Sequence, residues 1–166
     1  MQKKITFKDN IFLLMPFLIM ILLYWSSSMS YETQSLTSPL DTLLAGRPFE
    51  KFLSQFEFTY AGSLVSIKNN GYISFIEFFI RKGTHFFSFF LLGFFWVLGL
   101  RKRMREEWLV ILLSILLCIG YASFDELRQS FHPGRTGIMA DVILDTAGAI
   151  AGVGTAWLLM KKKIIQ

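Results

Sequence analysis

The sequence predicts an all-α fold, an integral membrane bundle of four transmembrane helices, and three observations carry that expectation. The 166 residues are 53% hydrophobic and 16% aromatic with only 17% charged, whereas ordinary soluble domains are about 25% charged. The apolar residues gather into runs close to the roughly 20 residues that cross a bilayer. Basic clusters flank those runs: Lys3, Lys4 and Lys8, then Arg101 to Arg105, then Lys161 to Lys163. The net charge of +5 is thus spread over span edges and not along one stripe, which speaks for membrane orientation and against a nucleic-acid partner. The single cysteine, Cys118, lies in an apolar run and excludes an intrachain disulfide or a cysteine-rich metal knuckle.

The first span is predicted over residues 8–28, around the run Ile11 to Trp25. A basic start, an apolar core and the small residues Ser26 to Ser28 also fit a cleaved signal peptide; bulky Tyr24 and Trp25 before the serines favour an aromatic anchor and a retained helix. The second span, over 73–100, is richest between Phe86 and Leu100, with Phe75, Phe78 and Phe79 as a lead-in broken by Glu77. The third, over 106–127, runs without a charge from Trp108 to Phe124, and the fourth, over 137–160, carries Asp141 and Asp145. Cytoplasmic loops carry an excess of Lys and Arg. The clusters before span one, between spans two and three and after span four therefore agree on one topology: a multi-pass protein of the bacterial cell membrane with both termini cytoplasmic.

Two outer segments follow. Residues 29–72 form a mixed loop with turn formers at Pro39, Gly46, Pro48, Asn69, Asn70 and Gly71, in which Phe49 to Phe58 reads as a short amphipathic helix on the membrane surface. The connection Asp125 to Gly137 is dense in polar residues, and Pro133-Gly134 suits a type II turn that aims His132 and Arg135 back over the bilayer.

The ionisable residues within the spans occupy one level. Counting about 1.5 Å per residue from the basic edge of each helix puts His85 and Asp145 at about 24 Å, Asp125 at about 27 Å, Lys82 at about 28 Å and Asp141 at about 30 Å, inside the outer third of a core about 30 Å thick. Helical spacing gives each span one polar stripe: Lys82, His85 and Phe89; Ser114, Cys118, Tyr121 and Asp125; Asp141, Asp145, Gly148 and Gly152. Ionised groups facing lipid cost a few kcal/mol or more, so the stripes are expected to converge. Gly148 and Gly152 read as a small-xxx-small packing contact.

The run Arg81-Lys82-Gly83-Thr84-His85 continuing to Gly93, then Asp125-Glu126-x-x-Gln129-x-Phe131-x-Pro133-Gly134-Arg135-x-Gly137, then Asp141-x-x-x-Asp145-x-x-Gly148-x-x-x-Gly152 resembles the VanZ-like family. These are small bacterial membrane proteins named after a teicoplanin-resistance determinant. The likeness spans Ile80 to Trp157, about half of the chain, in three ordered motifs. It implies a single VanZ-like membrane domain over 1–166 in a Gram-positive bacterium, a role in lowering teicoplanin susceptibility, and Lys82, His85, Asp125, Glu126, Gln129, Arg135 and Asp141 as signature positions. Two positions depart from the commonest family form: Phe89 where tyrosine is frequent, and Asp145 where asparagine is frequent. The first removes a hydroxyl donor and the second adds an acid at depth.

Charges that merely hold helices in register are one account, but buried ion pairs are seldom more stabilising than apolar packing. The expected function is an outward-facing polar site at headgroup depth, lined by Lys82, His85, Asp125, Glu126, Gln129, Arg135, Asp141 and Asp145. Lys82, Arg135 and Arg128 would there meet the phosphate or carboxylate of an anionic envelope lipid, a lipid-linked cell-wall precursor or a lipoglycopeptide. The expected partners are membrane lipids and those two ligand classes. The alternative is a membrane-embedded enzyme acting on a lipid substrate, with His85, Asp125 and Glu126 as acid-base candidates and Arg135 or Lys82 stabilising negative charge; no nucleophile stands in an evident motif. A metal version through His85, Glu126 and Asp141 lacks a recognised ligand spacing, so neither metal nor cofactor is expected.

Overall fold

A computed structural model describes residues 4–29, 35–131, 138–162 and 164. In chain order the elements are α1 (Phe7–Ser27), two short helices α2 (Thr37–Leu43) and α3 (Glu50–Leu53), strands β1 (Glu57–Tyr60) and β2 (Ser63–Ser66), the one-turn helix α4 (Ile67–Asn70), and then α5 (Tyr72–Leu100), α6 (Glu107–Ser130) and α7 (Met139–Lys161). α1, α5, α6 and α7 are each long and apolar enough to cross a membrane. They coincide with the four predicted spans, except that α6 runs three residues further, so Asp125 and Gln129 share one helical face. The 29 residues of α5 extend about 43 Å, past the hydrocarbon thickness, and its first turns serve as a platform for the preceding segment.

α5 and α7 run parallel and carry the closest contact in the bundle. A side chain on Gly148 would overlap the backbone carbonyl of Phe86, one on Gly152 that of Phe90, and one on Gly93 that of Ala149. This is the expected small-residue contact, and its consequence is that Asp141 and Asp145, higher on α7, are held close to Lys82 and His85. α1 lies antiparallel to α5, with Gly99 beneath the backbone of Leu13 and Phe17 edge-on to Trp96 at 5.3 Å. Between the helices Phe89, Leu92, Trp96, Cys118, Tyr121, Ala122 and Ala149 form the core, with Ile19 closing it from α1. The Tyr121 hydroxyl donates to the Met20 carbonyl at 2.5 Å, across α6 and α1.

The segment expected to be an amphipathic surface helix is helical only over Glu50–Leu53; from Glu57 it is a β-hairpin. Phe58 pairs with Val65 and Tyr60 with Ser63 across the turn at Ala61 and Gly62, whose φ angles are +51° and +81°, the left-handed pair that matches strand twist. The physical reason for the difference is alternation. Phe58 and Tyr60 fall on one face of the strand and reach the first turns of α5, where Phe58 meets Phe78 and Phe79 at 5.9 Å each and Tyr60 meets Phe78 at 5.2 Å. Glu77, buried beneath, accepts the Leu36 backbone N–H at 2.7 Å and ties α2 to the same helix. The predicted turn at Pro133-Gly134, with His132 and Arg135, lies outside the described residues.

Candidate functional site

The stripes of α5 and α7 converge at the end of the bundle where the hairpin sits, and Glu126 of α6 joins them, whereas Asp125, expected in the same convergence, turns to α1. Lys82 on α5 donates to Asp141 Oδ1 on α7 at 2.5 Å. The Tyr60 hydroxyl donates to the same oxygen, also at 2.5 Å, and the Lys82 ammonium lies over the Tyr60 ring, 4.9 Å from its centroid. Burial first, then the bond to Asp141, pushes the Tyr60 phenol above its ordinary range, so it remains a donor at any physiological pH. One turn deeper, His85 Nδ1 stands 3.5 Å from Asp145 Oδ2, at ion-pair distance but without hydrogen-bond geometry. Glu126 on α6 accepts the Ile138 N–H through Oε2 at 2.9 Å, which caps the start of α7. It is close enough to His85, Asp141 and Asp145 to interact with all three charges. Glu126 Oε1 and Asp145 Oδ1 are buried and have no hydrogen-bond partner among the described residues.

Asp125 and Gln129 belong to a neighbouring group that faces α1. Asp125 accepts from the Ser27 hydroxyl at 2.6 Å, from Gln129 at 3.0 Å and from Arg128 at 3.3 Å. Arg128, expected to meet a ligand anion, instead reaches α1: it donates to the Ser27 hydroxyl, to the Ser28 hydroxyl at 2.8 Å and to the Tyr24 carbonyl at 3.2 Å, with its guanidinium over the Tyr24 ring. Of the eight residues expected to line the site, Lys82, His85, Glu126, Asp141 and Asp145 thus form one group, Asp125 and Gln129 an adjoining one, and Arg135 lies outside the described residues. Among the described residues no three His, Cys, Asp or Glu side chains group as a metal-binding set.

A second polar cluster occupies the opposite, basic end. Asp9, 1% exposed, accepts from the Thr6 N–H at 2.7 Å, the Thr6 hydroxyl at 2.5 Å and Lys102 at 3.0 Å, with Arg101 at 3.8 Å. Arg103 adds bonds to the Asp9 carbonyl at 3.1 Å and to Asn10 at 2.5 Å. The start of α1 is thereby fastened to the turn after α5.

With both ends described, the comparison with known families decides the kinship: the VanZ/LLP1 family model matches residues 10–160, most of the chain. The chain belongs to the VanZ/LLP1 family. No curated protein and no solved structure gives a match. In this VanZ/LLP1 protein the match reaches well beyond the three motifs, into α1, α2 and the hairpin. That is where sequence reasoning missed functional-site neighbours: Tyr60, which completes the Lys82–Asp141 pair, and Ser27, which holds Asp125. Tyr60 carried one usable signal, the alternation Phe58-x-Tyr60 before Ala61-Gly62; Ser27 carried none beyond its place at a span edge. Phe89, the first family departure, is fully buried against Tyr121 with ring centroids 6.2 Å apart. Asp145, the second, contributes one of the two unmatched oxygens.

Proposed function

We propose that this VanZ/LLP1 protein is a single multi-pass domain of the cell membrane, with both termini cytoplasmic, whose hairpin end faces outward and binds an envelope amphiphile at headgroup depth. The ligand is an anionic lipid, a lipid-linked cell-wall precursor or a lipoglycopeptide, and the consequence of binding is lowered teicoplanin susceptibility. The observation that carries this reading is the gathering of Lys82, His85, Glu126, Asp141 and Asp145 from three helices within about one helical turn of each other at the hairpin end, with Lys82 and His85 partly exposed. Lys82 reaches the anionic group by exchanging its bond to Asp141, which keeps the Tyr60 hydroxyl as partner. A stabilising cluster would match its charges; this one leaves buried acceptors unmet, a cost of roughly 1–3 kcal/mol each that packing alone does not call for.

The test is production in a teicoplanin-sensitive bacterium. Wild type is expected to raise the inhibitory concentration several-fold, and Lys82→Ala or His85→Ala, present in the membrane at equal level, to lose the effect together with binding of a labelled lipid-linked precursor. A wild-type protein that neither shifts susceptibility nor retains the precursor sinks the reading. Orientation is tested separately by a cysteine at Thr59: labelling by an impermeant maleimide on intact cells is expected, and labelling only after lysis reverses the topology.

The His85–Asp145 approach favours a second reading, in which the imidazole acts as general base beside an orienting carboxylate on a lipid substrate. Turnover of a lipid fraction by purified protein, lost in His85→Ala, distinguishes it; binding with no turnover of any fraction removes it.

A further inference from the structure

Two buried carboxylates in the site are each half used. Glu126 uses Oε2 on the Ile138 N–H and Asp145 directs Oδ2 at His85, while Glu126 Oε1 and Asp145 Oδ1, on side chains more than nine-tenths buried, have no hydrogen-bond partner among the described residues. The only lysine of the group is already matched by Asp141, and Arg128 is folded onto α1. Among the described residues the two acids therefore have one imidazole and no matched cation beside them. An ionised carboxylate out of water needs a positive or donating partner.

Resting on the ligand-binding reading above, we infer that Glu126 and Asp145 form a receptor for a primary ammonium group, so that the ligand is a zwitterionic amphiphile. Its anion lies at Lys82, near the mouth, and its ammonium one turn deeper at Glu126 Oε1 and Asp145 Oδ1. A primary ammonium fits this pair because it offers three N–H donors on one charged centre. A quaternary ammonium carries the same charge with no donor and cannot satisfy the two oxygens by hydrogen bonding. His85, one turn beyond Lys82 on α5 and 3.5 Å from Asp145 Oδ2, lies beside the ammonium and contacts the linker.

The test uses the full chain in detergent micelles, titrated with phosphatidylethanolamine, phosphatidylcholine and phosphatidylglycerol of identical acyl chains, with thermal unfolding and native mass spectrometry as readouts. Phosphatidylethanolamine is expected to act at about tenfold lower concentration than phosphatidylcholine, the difference made by charge-assisted hydrogen bonds. Glu126→Gln and, separately, Asp145→Asn are expected to erase that preference; either folded variant suffices. Equal action of the two zwitterionic lipids on wild type, or a preference that survives both substitutions, overturns the ammonium receptor. If phosphatidylglycerol binds as tightly as phosphatidylethanolamine and Lys82→Ala abolishes both, the anion site stands and the ammonium assignment alone fails. If none of the three lipids shifts unfolding or is retained, the ammonium receptor fails, and the ligand-binding reading is decided separately by retention of the labelled precursor.

Discussion

The two ends of the bundle both bury acids, and they treat them oppositely. At the basic end Asp9 accepts from Thr6 and Lys102 through Oδ2 and has Arg101 at ion-pair distance from Oδ1, so its charge is matched where it stands. At the hairpin end Glu126 and Asp145 are also buried, yet among the described residues each keeps an oxygen without a hydrogen-bond partner. An acid with a cation at each oxygen has little left to offer a ligand and works as a clasp. An unsaturated one costs stability that packing alone does not call for, and the proposed binding role accounts for that cost.

Substitutions can break or sharpen this contrast. The largest effect is expected at the contact linking the two levels of α7 to α5: Gly152→Leu, whose side chain would run into the Phe90 carbonyl, should cost about 3 kcal/mol or more. It should disperse the Lys82–Asp141 group while leaving the Asp9 clasp in place, as read by denaturation in mixed micelles together with cross-linking of cysteines at each end. Asp9→Ala should cost about 2 kcal/mol through lost charge-assisted bonds and loosen α1 from α5; an unchanged midpoint would show that the basic end is not a clasp. Glu126→Gln keeps an acceptor for the Ile138 N–H and removes an unmatched charge, so the midpoint should move by less than about 1 kcal/mol, in either direction. A loss as large as that of Asp9→Ala would erase the distinction between the ends.

Smaller effects probe the hairpin. Tyr60→Phe removes one of the two donors to Asp141 Oδ1 and should cost about 1 kcal/mol, with faster amide exchange over 57–66. The phenol is raised in the fold, so its contribution is present at every pH below the ordinary tyrosine value of about 10 and is lost above it. An ultraviolet titration that finds Tyr60 ionising at its ordinary value would remove the bond to Asp141. Smallest of all, Ala61→Gly relieves a side chain held at φ +51° and should stabilise the hairpin by about 1 kcal/mol or less, seen as slower exchange in the same segment.

How much of this was legible depends on how locally each feature is encoded. The four spans follow from hydropathy and length, and the stripes Lys82–His85–Phe89, Ser114–Cys118–Tyr121–Asp125 and Asp141–Asp145–Gly148–Gly152 from helical period alone, because a helix presents every third or fourth residue on one face whatever it packs against. The Asp9 clasp was half legible: Thr6-x-x-Asp9 is a capping pattern, but the basic residues that complete it are 92 and 93 positions away and were read only as markers of orientation. Arg128 is three residues from Asp125 and was still misassigned, since the deciding partners, Ser27, Ser28 and Tyr24, lie on another helix.

By itself the sequence determined that four apolar helices exist, where they begin and end within a few residues, and which charges fall at matching positions along them, since rise per residue and solvent preference are properties of single segments. Only the tertiary structure decided which acid meets which base. Asp141 took Lys82 and Tyr60, Asp125 took Ser27 and Arg128, and Glu126 and Asp145 were left with an oxygen each, because pairing depends on the rotation and spacing of neighbouring helices. Between α5 and α7 those are set by the backbone contact of Gly148 and Gly152 with Phe86 and Phe90, and between α6 and α1 by contacts such as the Tyr121 hydroxyl on the Met20 carbonyl, interactions between segments that no single segment encodes.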